Sequence, residues 1–170
     1  RVLFRSLDLN EDWEINKNIL NSKGFIINKE IKLVVCNFAI HYFTKNRKTI
    51  MNFFKFIKFI ISSKGRFIFT CLDGQKVFNH LGGKKWEKEK YLINPLYNSS
   101  KFTGINQEIE ILLPFSSKLY KEYLVNLELI EILMNKNQFQ LEIQNSFDTF
   151  LDLYKNYNSE KYNKIGRAHV

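Results

Sequence analysis

The residues best suited to chemistry lie together in one octapeptide, Cys36-Asn37-Phe38-Ala39-Ile40-His41-Tyr42-Phe43. It follows the apolar run Leu33-Val34-Val35, which reads as a short buried strand. An amide, an aromatic ring, an imidazole and a phenol therefore arrive where a strand stops. Packing alone does not call for that set. In open α/β sheets, ligands bind outside the carboxyl ends of the strands. The peptide therefore sits where chemistry would be expected. No acid–base dyad and no metal-ligand spacing stands out in the sequence.

The flanking segments indicate how these residues are positioned. A helix is expected over 13–21 and a strand over 31–38. Lys48 to Ser62 carries Ile50, Phe53, Phe54, Ile57, Ile60 and Ile61 at helical spacing, with Lys55 and Lys58 on the other face. Lys64-Gly65 then introduces a strand over 66–72. Strand, helix, glycine turn and strand make a βαβ unit with parallel strands. Asp73-Gly74 marks a turn before a short helix at 75–81. The stretch 82–107 reads as an insertion of loops and short strands, and 108–115 as an extra strand. A helix is expected over 119–134, a strand over 139–143, and a helix over 146–154 capped by Ser146.

Composition sets outer limits. At 170 residues the chain is long enough for one domain with a real core. Cys36 and Cys71 both fall in apolar runs and read as buried thiols of a reducing compartment, not as a disulfide framework. The most apolar stretch, Ile50 to Ile61, is interrupted by Lys55 and Lys58 and is too short to span a bilayer, so no membrane partner is expected. The formal charge is +9, which is compatible with a polyanionic partner.

The two ends share an oddity. Arg1-Val2-Leu3-Phe4-Arg5-Ser6 and Ile165-Gly166-Arg167-Ala168-His169-Val170 can both be encoded by one DNA segment read on opposite strands. That segment looks like a sequencing adapter. Residues 1–6 and 165–170 are therefore expected to be non-native tails, with a domain over 7–164 whose gene is cut at both ends. Removing Arg1, Arg5 and Arg167 lowers the formal charge from +9 to +6.

The run from Leu33 to Phe43 resembles the strand-four motif of messenger RNA cap guanine-N7 methyltransferases, most closely the poxvirus and giant-virus branch. Three further blocks agree in order and spacing. Gly65-Arg66-Phe67-Ile68-Phe69-Thr70-Cys71-Leu72-Asp73-Gly74 is similar to the family's strand five and its turn. Phe102-Thr103-Gly104, with Glu108 to Phe115, is similar to its cap-proximal segment, and Glu122-Tyr123-Leu124-Val125 to its Glu-Tyr-Leu-Val sequence. The resemblance covers about residues 31–154. It implies part of a class I, Rossmann-like α/β methyltransferase, with a mainly parallel sheet flanked by helices. The family's Gly-rich cofactor loop would precede Leu7 and its last strand would follow Asn163.

The resemblance also implies roles. Phe38, His41 and Tyr42 would line the pocket for the cap guanine, and Glu122 would recognise the guanine edge. Asn37 would lie against S-adenosylmethionine, as would Phe38, and Asp8 is the candidate for an acidic residue near the adenine. Where the family often has Pro, this chain has Leu72, so a guanine contact there is not carried over. The implied reaction is methyl transfer to N7 of the terminal guanine of capped RNA. Because N7 carries a free lone pair, no general base is needed, and positioning alone supplies roughly 7–11 kcal/mol of barrier reduction. Fused or associated triphosphatase and guanylyltransferase domains are implied as partners. The implied location is cytoplasmic, or a viral factory or virion if the source is viral. Two other readings fit the residues: a class I methyltransferase with a small-molecule acceptor, and a non-catalytic module that binds the cap or a partner. Lys84, Lys85, Lys88 and Lys90 form a basic cluster that reads either as a solvated loop or as a contact for RNA phosphates.

Overall fold

The computed structural model describes residues 7–24 and 30–157. The expected tails at 1–6 and 165–170 lie outside the described residues. The chain divides between Phe139 and Gln140 into two compact units, which are taken separately.

The first unit holds the expected βαβ element. Helix α1 (Trp13–Ser22) begins at Asp12, whose side chain accepts from the Glu14 N–H. Strand β1 (Ile31–Asn37) is followed by a single 3-10 turn, Ile40–Phe43. Helix α2 (Arg47–Ile60) then leads directly into strand β2 (Ile61–Thr70). The strands are parallel, with Val34 opposite Phe67, Cys36 opposite Phe69 and Asn37 opposite Thr70. β2 starts five residues earlier than the sequence predicts, because α2 ends without a loop, and the ladder is irregular between Ile31 and Leu33.

Burial explains this unit. Ile50, Phe53, Phe54, Phe56 and Ile57 of α2 are buried against Ile40 and Phe43 of the turn, and Val34, Cys36, Phe67 and Phe69 pack on the same cluster. Phe43 stacks on Phe53 with ring centroids 4.0 Å apart. The other sheet face is different. Leu33 is 53% exposed and Val35 51%. The run Leu33-Val34-Val35, expected to be wholly buried, is thus covered on one face only, because a helix packs against that face alone among the described residues.

The stretch after β2 builds a second sheet. Helix α3 (Gly74–Leu81) starts at Asp73 and is followed by β3 (Trp86–Lys88), β4 (Tyr91–Pro95), β5 (Glu108–Leu112) and β6 (Tyr120–Tyr123). These four strands pair antiparallel in the order β3-β4-β5-β6. The expected insertion is therefore half of an antiparallel sheet larger than the parallel pair. Val77 and Phe78 of α3 cover its core residues Ile109, Ile111 and Leu124. Gln107, 3% exposed, holds the preceding loop: its Oε1 accepts from the Thr103 and Gly104 N–H groups and its Nε2 donates to Lys101 O.

The helix expected over 119–134 is split. Residues 120–123 form β6, and helix α4 (Leu127–Lys136) starts only at Asn126, whose side chain accepts from the Leu129 N–H. The ladder to β5 satisfies the backbone of Tyr120 to Tyr123, which a helix would have to satisfy internally. α4 ends in a Schellman turn, with Gln138 at φ 64 and the Phe139 and Gln138 N–H groups donating to Met134 O and Asn135 O. The strand expected over 139–143 does not form. Phe139 is used in that turn, Leu141 and Ile143 are exposed, and no strand pairs with this segment among the described residues.

The described part of the second unit holds helix α5 (Phe147–Tyr157). Ser146 caps it as expected, its Oγ accepting from the Thr149 N–H.

One local device fixes the turn to α2. Asn46 and Thr49 form a capping box, and the Thr49 hydroxyl also donates to Phe43 O at 2.6 Å. Replacing Asn46 by Ala leaves the first-turn N–H of Thr49 unsatisfied. Urea unfolding should show a loss of about 1 kcal/mol, the usual worth of such a cap. An unchanged midpoint would mean that the cap does not hold this corner.

Candidate functional site

The site is assembled at the carboxyl edge of the parallel pair. β1 ends at Asn37, and Phe38 follows with φ 45, in the left-handed region. A bulky residue rarely adopts that conformation, which costs about 1–3 kcal/mol and persists only where neighbours enforce it. Here the neighbour is the end of β2. The Phe38 N–H donates to Thr70 O at 3.0 Å and to Thr70 Oγ1 at 3.1 Å, and Thr70 Oγ1 donates to Asn37 Oδ1 at 3.5 Å. The sharp reversal turns the chain from the strand into the 3-10 turn that carries His41 and Tyr42.

That turn is held from below. Thr44 is fully buried, and its hydroxyl donates to His41 O at 2.9 Å. Its carbonyl accepts from the Asn106 N–H at 3.0 Å, which ties the turn to the antiparallel sheet. β6 packs against the turn from that side. The result is a close approach between two segments that are distant in sequence: His41 Nε2 lies 3.6 Å from Glu122 Oε1. The His41 and Tyr42 rings are in contact, with centroids 4.1 Å apart and tilted by 56°.

The electrostatics show two poorly solvated groups. Burial lowers the His41 pKa to about 4, so the imidazole is neutral at physiological pH. Burial raises the Glu122 pKa. An effective ion pair would move both the other way. At 3.6 Å the contact is also longer than a hydrogen bond. Among the described residues His41 Nε2 has no hydrogen-bond partner. A buried polar atom in that state costs free energy until something pairs with it. The adjoining pocket is lined by His41, Leu72, Gly74, Glu122, Tyr123 and Val125, among others, and encloses about 10 Å³, room for about one water. A planar ligand is too large for this space; the Tyr42 ring, in contact with His41, is 47% exposed.

Gly74 is required at this wall. Its N–H donates to Val125 O at 3.1 Å, and a Cβ there would collide with the Val125 backbone.

His41, Tyr42 and Glu122 meet. Asn37 and Phe38 stand at the adjoining strand end, both exposed. Asp8 is described only in a local turn before α1, its carboxylate accepting from the Asn10 N–H at 2.9 Å. Glu122 sits on a strand, not at the start of a helix. Tyr120 escaped the sequence reading. Two residues before Glu122 on β6, it shares that residue's face, is 47% exposed, and lies close enough to Tyr42 to help raise the Tyr42 pKa, after burial and Glu122. Its signal was the alternation Tyr120, Glu122, which a helical reading hides. Cys36 and Cys71 are unbridged, and burial raises both thiols, Cys71 to about 11. The basic cluster lies on the exposed β3–β4 hairpin, where Lys85 pairs with Glu87 at 2.7 Å. Among the described residues no group of three or more His, Cys, Asp or Glu could hold a metal, and no helix is long and apolar enough to cross a membrane.

The chain is similar to a probable mRNA-capping enzyme of Acanthamoeba polyphaga mimivirus, 26% identical over 92% of this chain. It is also similar to mRNA-capping enzymes of African swine fever virus, for example 27% identical over 79% of this chain. It spans 14% of the first relative and 17% of the second. No protein-family model matches. Among solved structures, an S-adenosylmethionine-dependent methyltransferase from Clostridium acetobutylicum aligns with a TM-score of 0.47 and 15% identity, covering 76% of this chain and 61% of that one.

The His41 environment predicts a pH dependence. Between about pH 4 and the ordinary histidine value of 6.5, the unfolded chain binds the His41 proton and the folded chain does not. The contribution of neutral His41 is therefore complete above 6.5 and is lost as pH falls toward about 4. Glu122, with its raised pKa, opposes this near the acid end of the window. Urea midpoints should rise from pH 5 to pH 7, and His41→Gln should flatten that rise. Identical slopes in the two proteins would show that His41 is not held neutral.

Proposed function

We propose that this chain is part of an enzyme that methylates N7 of the terminal guanine of capped RNA, with S-adenosylmethionine as methyl donor. The observation that carries the reading is the meeting of His41, Tyr42 and Glu122 in a chain similar to viral mRNA-capping enzymes.

Guanine suits these groups. Its N1–H and exocyclic amine can donate to the Glu122 carboxylate, and a neutral imidazole protonated at Nε2 can donate to O6. The atom left unpaired in His41 then gains a partner. Adenine offers the wrong edge, which is the basis of discrimination, and a bidentate contact of this kind is worth about 1–3 kcal/mol. Tyr42 offers a partly exposed ring for stacking, worth about 1–3 kcal/mol per base. Asn37 and Phe38 suit the cofactor: an exposed amide and an exposed ring at the carboxyl end of a parallel strand can hold a ligand with polar and planar parts.

The cofactor supplies an activated sulfonium methyl. The protein's task is alignment. With that donor bound, the N7 lone pair would attack the methyl carbon, the carbon–sulfur bond would break with its electron pair going to sulfur, and no proton would need to move. That balance agrees with a site whose imidazole is held neutral rather than poised as a base. The positive charge left on the base is stabilised by the Glu122 carboxylate and the Tyr42 ring. In the longer protein, triphosphatase and guanylyltransferase domains would supply the capped end.

The test uses labelled S-adenosylmethionine with GpppA or ApppA. Transfer to GpppA alone is expected. Glu122→Ala and Tyr42→Ala should each lower kcat/KM about 10- to 100-fold in folded protein, the fold equivalent of about 1–3 kcal/mol. Transfer to a small acceptor but not to GpppA, or cofactor binding without any transfer, would overturn the proposal.

A further inference from the structure

The left-handed corner at Phe38 needs a cause, and the structure holds one outside the residues assigned so far. We propose that Thr70 is a positioning residue: its hydroxyl holds Asn37 and Phe38 in their ligand-facing arrangement. The proposal rests on the functional reading above for what the corner faces, and on geometry for how it is held.

Three bonds converge on Thr70. Its carbonyl and its Oγ1 share the Phe38 N–H, at 3.0 and 3.1 Å. Its hydroxyl hydrogen goes to Asn37 Oδ1 at 3.5 Å. The hydroxyl thus works as acceptor and donor at once, which only Ser, Thr or a bound water could do in this place. Thr70 is also the last residue of β2 and stands opposite Asn37, so the two parallel strands end level and the bridge crosses between their carboxyl ends. The consequence for Phe38 is specific. A phenylalanine at φ 45 does not hold that conformation by itself. Without the hydroxyl, the shared N–H keeps only the carbonyl, and the Asn37 amide oxygen loses the donor that Thr70 gives it. Both residues are exposed.

Thr70→Val keeps the shape and removes the hydroxyl. Thr70→Ser keeps the hydroxyl and removes the methyl. Two measurements on the full chain separate a positioning role from a packing role: affinity for S-adenosylhomocysteine by calorimetry, and hydrogen exchange at the Phe38 amide. Thr70→Val should weaken binding about tenfold and speed Phe38 exchange by a similar factor, the worth of one lost hydrogen bond. Thr70→Ser should stay within about twofold of the unsubstituted protein in both. Unchanged binding and exchange in Thr70→Val would overturn the proposal, as would a Thr70→Ser protein impaired as much as Thr70→Val. If the unsubstituted chain binds S-adenosylhomocysteine but does not methylate GpppA, the cap reading fails while the Thr70 comparison still stands. If it binds no cofactor, Phe38 exchange alone decides whether Thr70 holds the corner.

Discussion

The constraint on which the rest depends is the burial of one face of α2. Ile50, Phe53, Phe54 and Ile57 are nearly inaccessible, and everything that positions the site rests on them. The parallel strands lay Val34, Cys36, Phe67 and Phe69 on that face. The 3-10 turn lays Ile40 and Phe43 on it, and α4 lays Ile130 and Leu133. Because each buried large side chain contributes about 1.5–3 kcal/mol, this cluster can carry local features that are unfavourable in themselves. The left-handed Phe38 is one. The orphaned His41 nitrogen is the other. Both lie within a few residues of Ile40 and Phe43, where the backbone has the least freedom to relax.

The polar contacts around the site divide into two kinds. Those below the turn are short and inward: Thr44 to His41 O, Thr49 to Phe43 O, and Asn106 to Thr44 O. They fix the backbone. Those at the mouth are long or absent, as between His41 Nε2 and Glu122. The backbone is thus fixed, while one His41 nitrogen is left without a partner among the described residues.

What the sequence revealed follows from how far each signal extends. α2 was legible because its apolar positions repeat over four turns, long enough for the 3.6 period to stand out. The parallel pair followed from it. β6 was not legible. Four residues give only two alternations, and Leu119, Tyr123, Leu127 and Ile130 happen to continue at helical spacing across the boundary. The marker that separates them is Asn126, a helix cap that lies inside the stretch of helical spacing and is masked by it. The alternation Phe139, Leu141, Ile143 was a real pattern without a partner, and a strand exists only as part of a ladder.

The site itself shows the same division. His41 and Tyr42 were visible as types at a strand end, and Glu122 only through resemblance to a family. Neither route could show that the turn and β6 come together, because that contact depends on the Thr44–Asn106 link and on Gln107 folding the loop that precedes β5. Thr70 was invisible for a different reason. As a residue type, a threonine at the end of a strand is ordinary. Its meaning comes from the residue opposite it in the parallel ladder, Asn37, and from the conformation of the next one, Phe38. Register and backbone sign are not written in local composition. They become readable only when two strands are aligned, which is why a supporting residue of a site is harder to find in a sequence than the residues it supports.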